Sequence, residues 1–336
     1  MNILHNHDLT QSTGFKTPLH VRKYILIEHE KDIETIPAFG NDIPLIIGGG
    51  TNYLFVKTEI DSAISYTGSE ITVIEDSNLT SVIRVGAGKV WHEFIIEMLD
   101  NGLFGLENLV LIPGTVGAAP VQNIGAYGRE VAESIQTVHG IQLSSGMRVS
   151  LSNEQCQFTY RHSIFKTKDW NDFLITHVDF LLQKIEYPMA HYPDVQAYFT
   201  QQEIHEPHCL DIAHAIMDIR QRKLPDPSII GNAGSFFKNP IIDISTYQTL
   251  KCTYPDMPSY PVDDKTVKIP AGWLIDKAGW KGFRHNGAGV HEHQALVLIN
   301  ANDAFGADIY ALSHMVQNSI LNMYGITLEP EVNIIA

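Results

Sequence analysis

One stretch sets a hydroxyl among small residues and follows it at once with two aromatics, a cation and an amide: Gly231-Asn232-Ala233-Gly234-Ser235-Phe236-Phe237-Lys238-Asn239-Pro240. Small flanking residues let a backbone approach a ligand closely, and Lys238 and Asn239 supply polar groups to orient it. Gly-Ser before apolar residues is by itself more often a turn entering a strand, so Ser235 takes its weight from other segments. Gly48-Gly49-Gly50-Thr51-Asn52 follows the apolar run Ile43 to Ile47 and reads as a buried strand feeding a glycine loop. Successive backbone N–H groups, with Thr51 and Asn52 as further donors, are the chemistry a pyrophosphate needs. Ile112 to Gly128 is rich in Gly, Ala and Pro and too apolar for a linker. Such a stretch is either an irregular core loop or a backbone wrapped around a large flat cofactor. Arg161, flanked by Tyr160 and His162-Ser163, is suited to a bidentate grip on a carboxylate, although a single Arg more often forms a surface ion pair.

Composition bounds what these residues serve. The 336 residues, 44% hydrophobic and 18% charged, are those of a soluble globular chain of two or three domains. A formal net charge of −15 argues against general affinity for nucleic acid or an anionic membrane. Anionic small ligands remain open, because a few local cations and helix N-termini suffice for them. Cys156, Cys209 and Cys252 are odd in number and far apart, so neither a disulfide framework nor a thiolate metal site is expected. There is no signal segment and no apolar run of membrane-spanning length, which leads us to expect a cytoplasmic protein. His291-Glu292-His293 lacks a third ligand at a motif spacing, so no metal is expected.

The elements that must hold these residues follow from periodicity. Ser81 to Val85 reads as a strand, and Trp91, Phe94, Ile95, Met98 and Leu99 share one face of a helix ending near Gly102. Ile135 to Leu143 and Met147 to Leu151 read as a hairpin, Phe173 to Leu182 as a strand and Tyr187 to Pro193 as a loop carrying Tyr192. Leu210, Ala213, Ile216 and Met217 mark a helix that stops before Pro225, behind Arg220, Arg222 and Lys223; cations there ordinarily serve the helix dipole. Ile244 to Leu250, Ala271 to Ala278 and Asp303 to Met323 read as helices, and Ala295 to Ile299 as a strand. The dinucleotide fingerprint G-x-G-x-x-G fails at Gly48, where Tyr53 takes the third glycine's place, and at Gly86, where Trp91 does. A classical Rossmann domain is therefore disfavoured.

Taken together, Gly48 to Asn52, Pro113-Gly114 to Tyr127-Gly128, Tyr160-Arg161-His162-Ser163, Lys223-Leu224-Pro225-Asp226-Pro227, Gly231 to Pro240, His293-Gln294-Ala295-Leu296-Val297 and Glu329-Pro330-Glu331-Val332 resemble the UDP-N-acetylenolpyruvoylglucosamine reductases. These are the bacterial flavoenzymes of peptidoglycan precursor synthesis, and the branch resembled is the one with a substrate-covering Tyr loop. The blocks run in the family's order over nearly the whole chain. Thr51 stands where the family usually has Ser and keeps the hydroxyl. His162 stands where many members have Asp, which bears on how Arg161 is oriented.

The resemblance implies an α+β chain: a two-domain FAD-binding fold of the vanillyl-alcohol-oxidase-like (PCMH-type) flavoproteins plus a C-terminal α+β substrate-binding domain. The expected division is 1–69 with 326–336, then 70–224, then 225–325. It further implies that Gly48, Gly49, Gly50, Thr51 and Asn52 take the FAD pyrophosphate and that Gly114, Thr115, Gly117, Ala118, Gln122, Asn123, Gly125 and Ala126 wrap the flavin. Tyr127, Tyr192, Lys223, Asn239 and Gln294 are the implied contacts to UDP-N-acetylglucosamine enolpyruvate. NADPH would supply hydride through FAD to the enolpyruvyl double bond, Arg161 and Glu331 would stabilise the charge that develops, and Ser235 would deliver the proton. A monomer is expected. Another FAD oxidoreductase of this fold and a non-catalytic sugar-nucleotide binder are the alternatives. The joint presence of Ser235, Arg161 and Glu331 argues against both.

Overall fold

A computed structural model describes residues 1–36 and 38–336. The chain divides into two compact units that it enters more than once: Met1–His7, Val21–Gly50 and Ile60–Arg222 form one, and Asp8–His20, Thr51–Glu59 and Lys223–Ala336 the other.

In the first unit, a five-stranded antiparallel sheet has the order Met147–Ser152, Ile135–Gln142, Phe173–Gln183, Thr80–Gly86, Ile71–Asp76. Phe173–Gln183 is central, and Val178, Phe180 and Leu182 point to one face and are fully buried. The helix Trp91–Asp100 covers that face with the side chains its periodicity marks out: Phe94 lies 5.0 Å and Trp91 5.9 Å, ring centre to ring centre, from Phe180. Gly102, left-handed at φ 69°, ends it as expected. A four-stranded sheet, in the order Asn2–Asp8, His20–Ile27, Glu59–Tyr66, Leu45–Ile46, completes the unit. Its first two strands carry no clear alternation of apolar and polar residues, and the sequence reading passes over them. So it does the helix Pro193–Gln201, which follows directly on Tyr192 as its N-cap.

The second unit packs the helices Gly306–Tyr324, Ala271–Lys277 and Ile244–Thr253 with two small sheets. Its core is built on Phe15, Phe236, Phe237, Leu274, Ile275, Leu312, Val316 and Ile320. The C-terminal strand Asn333–Ile335 pairs in parallel with Tyr53–Phe55. Two element starts differ from expectation. The strand expected over 295–299 is Leu298–Asn300, because the preceding residues form a turn in which His291 Nδ1 accepts from the amides of His293 and Gln294. The long helix begins at Gly306 rather than Asp303, because Asn300 Oδ1 accepts from the amide of Ala304 and Asp303 is left-handed. The cysteines are free thiols. Among the described residues, no helix is long and apolar enough to cross a membrane.

On the opposite face of the five-stranded sheet a polar chain crosses four strands. Arg84 grips the Asp179 carboxylate through Nε and Nη2 at 2.7 and 2.8 Å, and His139 links Asp179 to Ser150 at 2.8 Å on each side. Burial works to raise the Asp179 pKa, but the hydrogen bonds of Arg84 and His139 outweigh it and hold it down to about 2. A carboxyl depressed in the folded state contributes stability above its unfolded pKa and loses it as pH falls through the folded value. Asp179→Asn is expected to lower unfolding stability at pH 7 by about 2 kcal/mol, with the difference from wild type shrinking between about pH 4 and pH 2, as measured by urea unfolding.

Candidate active site

The glycine loop is placed by the sheet that precedes it. Leu45–Ile46 runs parallel to Glu59–Tyr66, and the Ile47 amide donates to Ile64 O, so the chain leaves the sheet at Gly48. A Cβ on Gly48 would lie 3.2 Å from Thr115 Oγ1, and one on Gly49 would lie 3.2 Å from Gly114 Cα. The two segments expected to hold one cofactor are therefore adjacent within this unit, at a spacing that side chains would fill. Gly114–Ala118 is held in turn by the end of Thr80–Gly86: the amides of Val116 and Gly117 donate to Lys89 O and Ala87 O, and Gly114 O accepts from Trp91 N. A Cβ on Gly117 would meet Ala87 Cβ at 2.5 Å. Among the described residues, none accepts a hydrogen bond from the amides of Gly48, Gly49 or Gly50. Backbone amides without an acceptor, beside a segment of Gly, Thr and Ala, suit a dinucleotide's phosphates and a flat ring, so the residues present fit FAD.

The segment then turns toward Arg161. Asn123 is wholly buried, and its side-chain amide is engaged by Glu130 at 2.6 Å, Thr159 O at 3.1 Å and Ala132 N at 3.1 Å. Only its backbone is left to meet a cofactor; the side chain ties the small-residue segment to the turn that carries Arg161. Ser163 Oγ does the same by donating to Val121 O at 2.6 Å. Arg161 is left-handed at φ 54° in a turn closed by reciprocal hydrogen bonds between Thr159 and His162, and its Nη2 donates to Gly125 O at 2.8 Å. Its guanidinium carbon sits 5.4 Å from the centre of the Tyr160 ring, and a Cβ on Gly125 would come within 3.1 Å of Nη1. The carbonyl and the ring orient Arg161, whereas the His162 side chain is exposed.

Gly125–Ala126 and Arg129–Glu130 form a hairpin whose two turn residues, Tyr127 and Gly128, are both left-handed, as a type I′ turn requires. Tyr127 meets Tyr192 edge to face, ring centres 5.2 Å apart. Burial raises the Tyr127 pKa, opposed by a hydrogen bond with Arg220. Arg220 thus has a partner in Tyr127, beyond the dipole-serving role that is the default for at least two of the three cations. Arg222 instead pairs with Asp218 one turn away at 3.0 Å. Lys223 is the helix's last residue and is exposed.

In the second unit Ser235 and Glu331 lie on adjoining segments. Gly234, left-handed at φ 69°, is held through its amide by Asn232 Oδ1, and Ser235 follows half-buried. Phe236 and Phe237, almost wholly buried, anchor what comes next. Phe236 N donates to Leu296 O, Glu331 N donates to Phe236 O at 2.8 Å, and Lys238 N donates to Glu329 O. Asn52 O accepts from Asn333 N and Asn52 Nδ2 reaches Glu331 O at 3.4 Å, while a Cβ on Gly14 would lie 2.6 Å from Thr51 O, so Thr51 and Asn52 join this assembly. Asn239 Oδ1 accepts from the amide of Ala271 at 2.9 Å and Gln294 Oε1 from that of Leu296 at 3.4 Å, which leaves both side-chain NH2 groups as donors. Lys238 pairs with Glu329 at 3.2 Å. Burial and the neighbouring His293 lower the His291 pKa, in keeping with a neutral ring that accepts at Nδ1. Among the described residues, no three His, Cys, Asp or Glu side chains gather as a metal site.

Fold and site define a flavoprotein oxidoreductase: residues 22–150 match the family described as "FAD binding domain". Residues 226–335 match "UDP-N-acetylenolpyruvoylglucosamine reductase, C-terminal domain". The chain is 39% identical over 340 residues, covering all of both chains, to the UDP-N-acetylenolpyruvoylglucosamine reductase of Flavobacterium johnsoniae. It is 40% identical to that of Pseudoalteromonas atlantica, covering 97% of this chain and 93% of the relative. The crystal structure of UDP-N-acetylenolpyruvylglucosamine reductase from Thermus caldophilus shares the fold, with a TM-score of 0.69 at 20% identity over 100% of this chain and 98% of that one. The chain belongs to the UDP-N-acetylenolpyruvoylglucosamine reductase family.

Gly49→Val places side-chain atoms against Gly114 in a loop outside the regular strands and helices. The variant is expected to fold with an unchanged far-ultraviolet spectrum but to bind FAD at least about tenfold more weakly. The ratio of flavin to protein absorbance during FAD titration measures this.

Proposed function

We propose that the protein reduces the enolpyruvyl double bond of UDP-N-acetylglucosamine enolpyruvate to give UDP-N-acetylmuramate, with NADPH as the reductant, for the synthesis of peptidoglycan precursor. The observation that carries this reading is the full-length match to the reductase family together with the presence of Ser235, Arg161 and Glu331. Glu331 and Ser235 on segments joined by a 2.8 Å backbone hydrogen bond support it further. In this reading Gly48 to Asn52 and Gly114 to Ala126 hold FAD, and Tyr127, Tyr192, Lys223, Asn239 and Gln294 contact the sugar nucleotide. FAD, when bound, supplies the hydride that NADPH has provided.

The protein's own residues handle charge and the proton. Hydride arrives at the terminal vinyl carbon, and the electron pair of the double bond moves onto the other carbon and into the adjoining carboxylate. The Arg161 guanidinium, held by Gly125 O and the Tyr160 ring, stabilises that carboxylate together with Glu331, which holds or shares a proton to do so. Electrostatic complementarity to charge that develops only in the transition state is the largest single contribution we assign. The Ser235 hydroxyl donates its proton to the carbon and recovers one from water. An alcohol is a weak acid, yet it is always protonated near neutral pH, and a carbanion is basic enough to take its proton.

We further assign the chain three functional parts, 1–69 with 326–336, 70–224 and 225–325, and we place it in the cytoplasm as a monomer serving cell shape and division through the cell wall. Ser235→Ala is expected to bind FAD and to be reduced by NADPH at the wild-type rate, while flavin reoxidation by the sugar nucleotide slows by ~10² or more in anaerobic stopped-flow absorbance. Reoxidation within a few-fold of wild type rules out the proton-donor role. Arg161→Gln is expected to slow the same half-reaction by ~10² to 10³.

A further inference from the structure

Asn108 lies in the single turn Glu107–Leu109 and is 2% exposed. Its side-chain NH2 donates both hydrogens, one to Tyr127 O at 3.2 Å and the other to Met189 O at 3.1 Å. The first acceptor belongs to a residue held left-handed at φ 49°, a backbone state that is strained for a non-glycine residue. The second lies in the segment leading to Tyr192, the N-cap of the helix Pro193–Gln201. The two tyrosine rings then meet edge to face with an interplanar angle of 74°. Tyr127 is fixed at its hydroxyl by Arg220 and at its ring by Tyr192; Asn108 fixes its backbone and, with the same planar group, the backbone that brings Tyr192 to it.

The residue type is informative. Two carbonyls aimed at one buried side chain need two N–H donors from one short group, which Asn provides. Asp would set a carboxylate against two carbonyl oxygens, and Leu would leave both without a partner.

We propose that Asn108 is a positioning residue that sets Tyr127 and Tyr192 in register as the aromatic pair that meets the sugar nucleotide. It acts through the tyrosines, since its own side chain is enclosed by protein. The proposal rests on the reading that these tyrosines contact that substrate.

The test is a double-mutant cycle on the FAD-loaded full chain with Asn108→Ala, Tyr192→Ala and the double variant, assayed with UDP-N-acetylglucosamine enolpyruvate and NADPH. Asn108→Ala is expected to raise KM for the sugar nucleotide about tenfold with kcat within about threefold, and to add less than about twofold once Tyr192 is Ala. Hydrogen exchange on the ligand-free holoenzyme supplies a readout apart from activity: amides of residues 187–192 exchange faster in Asn108→Ala, while those of the strand Phe173–Gln183 do not change. If Asn108→Ala does not fold, Asn108→Ser, which keeps one donor, takes its place with an expected rise in KM of about threefold.

An unchanged KM in Asn108→Ala beside a raised KM in Tyr192→Ala overturns the proposal and leaves the substrate reading intact. So does full additivity of the two effects, or unchanged exchange at 187–192. An unchanged KM in Tyr192→Ala defeats the reading that Tyr192 meets the substrate, and the proposal with it.

Discussion

The approach of two backbones, Gly48-Gly49 on one side and Gly114-Thr115 on the other, is the constraint on which the first unit depends. With a Cβ at either glycine only 3.2 Å from the facing segment, the contact exists because neither partner has bulk to offer. It holds because each segment is anchored behind: the glycine loop by its parallel strand pair, Gly114–Ala118 by the backbone of Ala87 and Lys89 and by Trp91 N. Trp91 and Phe94 bury themselves against Phe180 and so fix the helix that fixes the loop. Hydrophobic burial thus supplies the rigidity, and the absence of side chains supplies the room.

From that constraint the charged chemistry follows by short links. Asn123 and Ser163 tie the end of the small-residue segment to the turn of Arg161, and Gly125, held to a hydrogen by that same crowding, lets the guanidinium lie on its carbonyl. An arginine set in this way loses little conformational freedom when it meets an anion, which is what preorganised electrostatic stabilisation requires. The left-handed backbones of Asn123, Tyr127 and Arg161 concentrate in these few turns. The hydrogen bonds around them offset the strain.

The second unit solves a different problem, that of presenting the Ser235 hydroxyl. Phe236 and Phe237 are sunk into the core directly after Ser235, so the hydroxyl is held at the rim of a rigid element rather than on a free loop. Glu331 is brought alongside by the C-terminal segment, whose pairing with Tyr53–Phe55 also seats Asn52. One ladder therefore positions Asn52 and Glu331, which are remote in sequence.

Much of this was legible in the residues alone. The failed G-x-G-x-x-G spacing disfavoured a classical Rossmann domain, the 3.6-residue periodicity from Trp91 to Leu99 located the main scaffold helix, and the blocks around Gly48, Gly114, Arg161, Ser235 and Glu331 pointed to the family. Those signals are local: they depend on residue type and spacing within a turn or an element. Arg220 and Asn108 carried no such signal. A cation near a helix end and an amide beside an acid are ordinary in sequence, and their partners at Tyr127 and Met189 are distant in the chain. Likewise the engaged amide of Asn123 and the carbonyl under Arg161 depend on which segments come within hydrogen-bond reach. The sequence determined the family and the cofactor class, because these reside in residue types at fixed spacing. Only the tertiary structure decided which polar groups are left to meet a ligand and which are consumed in holding the others still, because that depends on long-range contacts no single segment encodes.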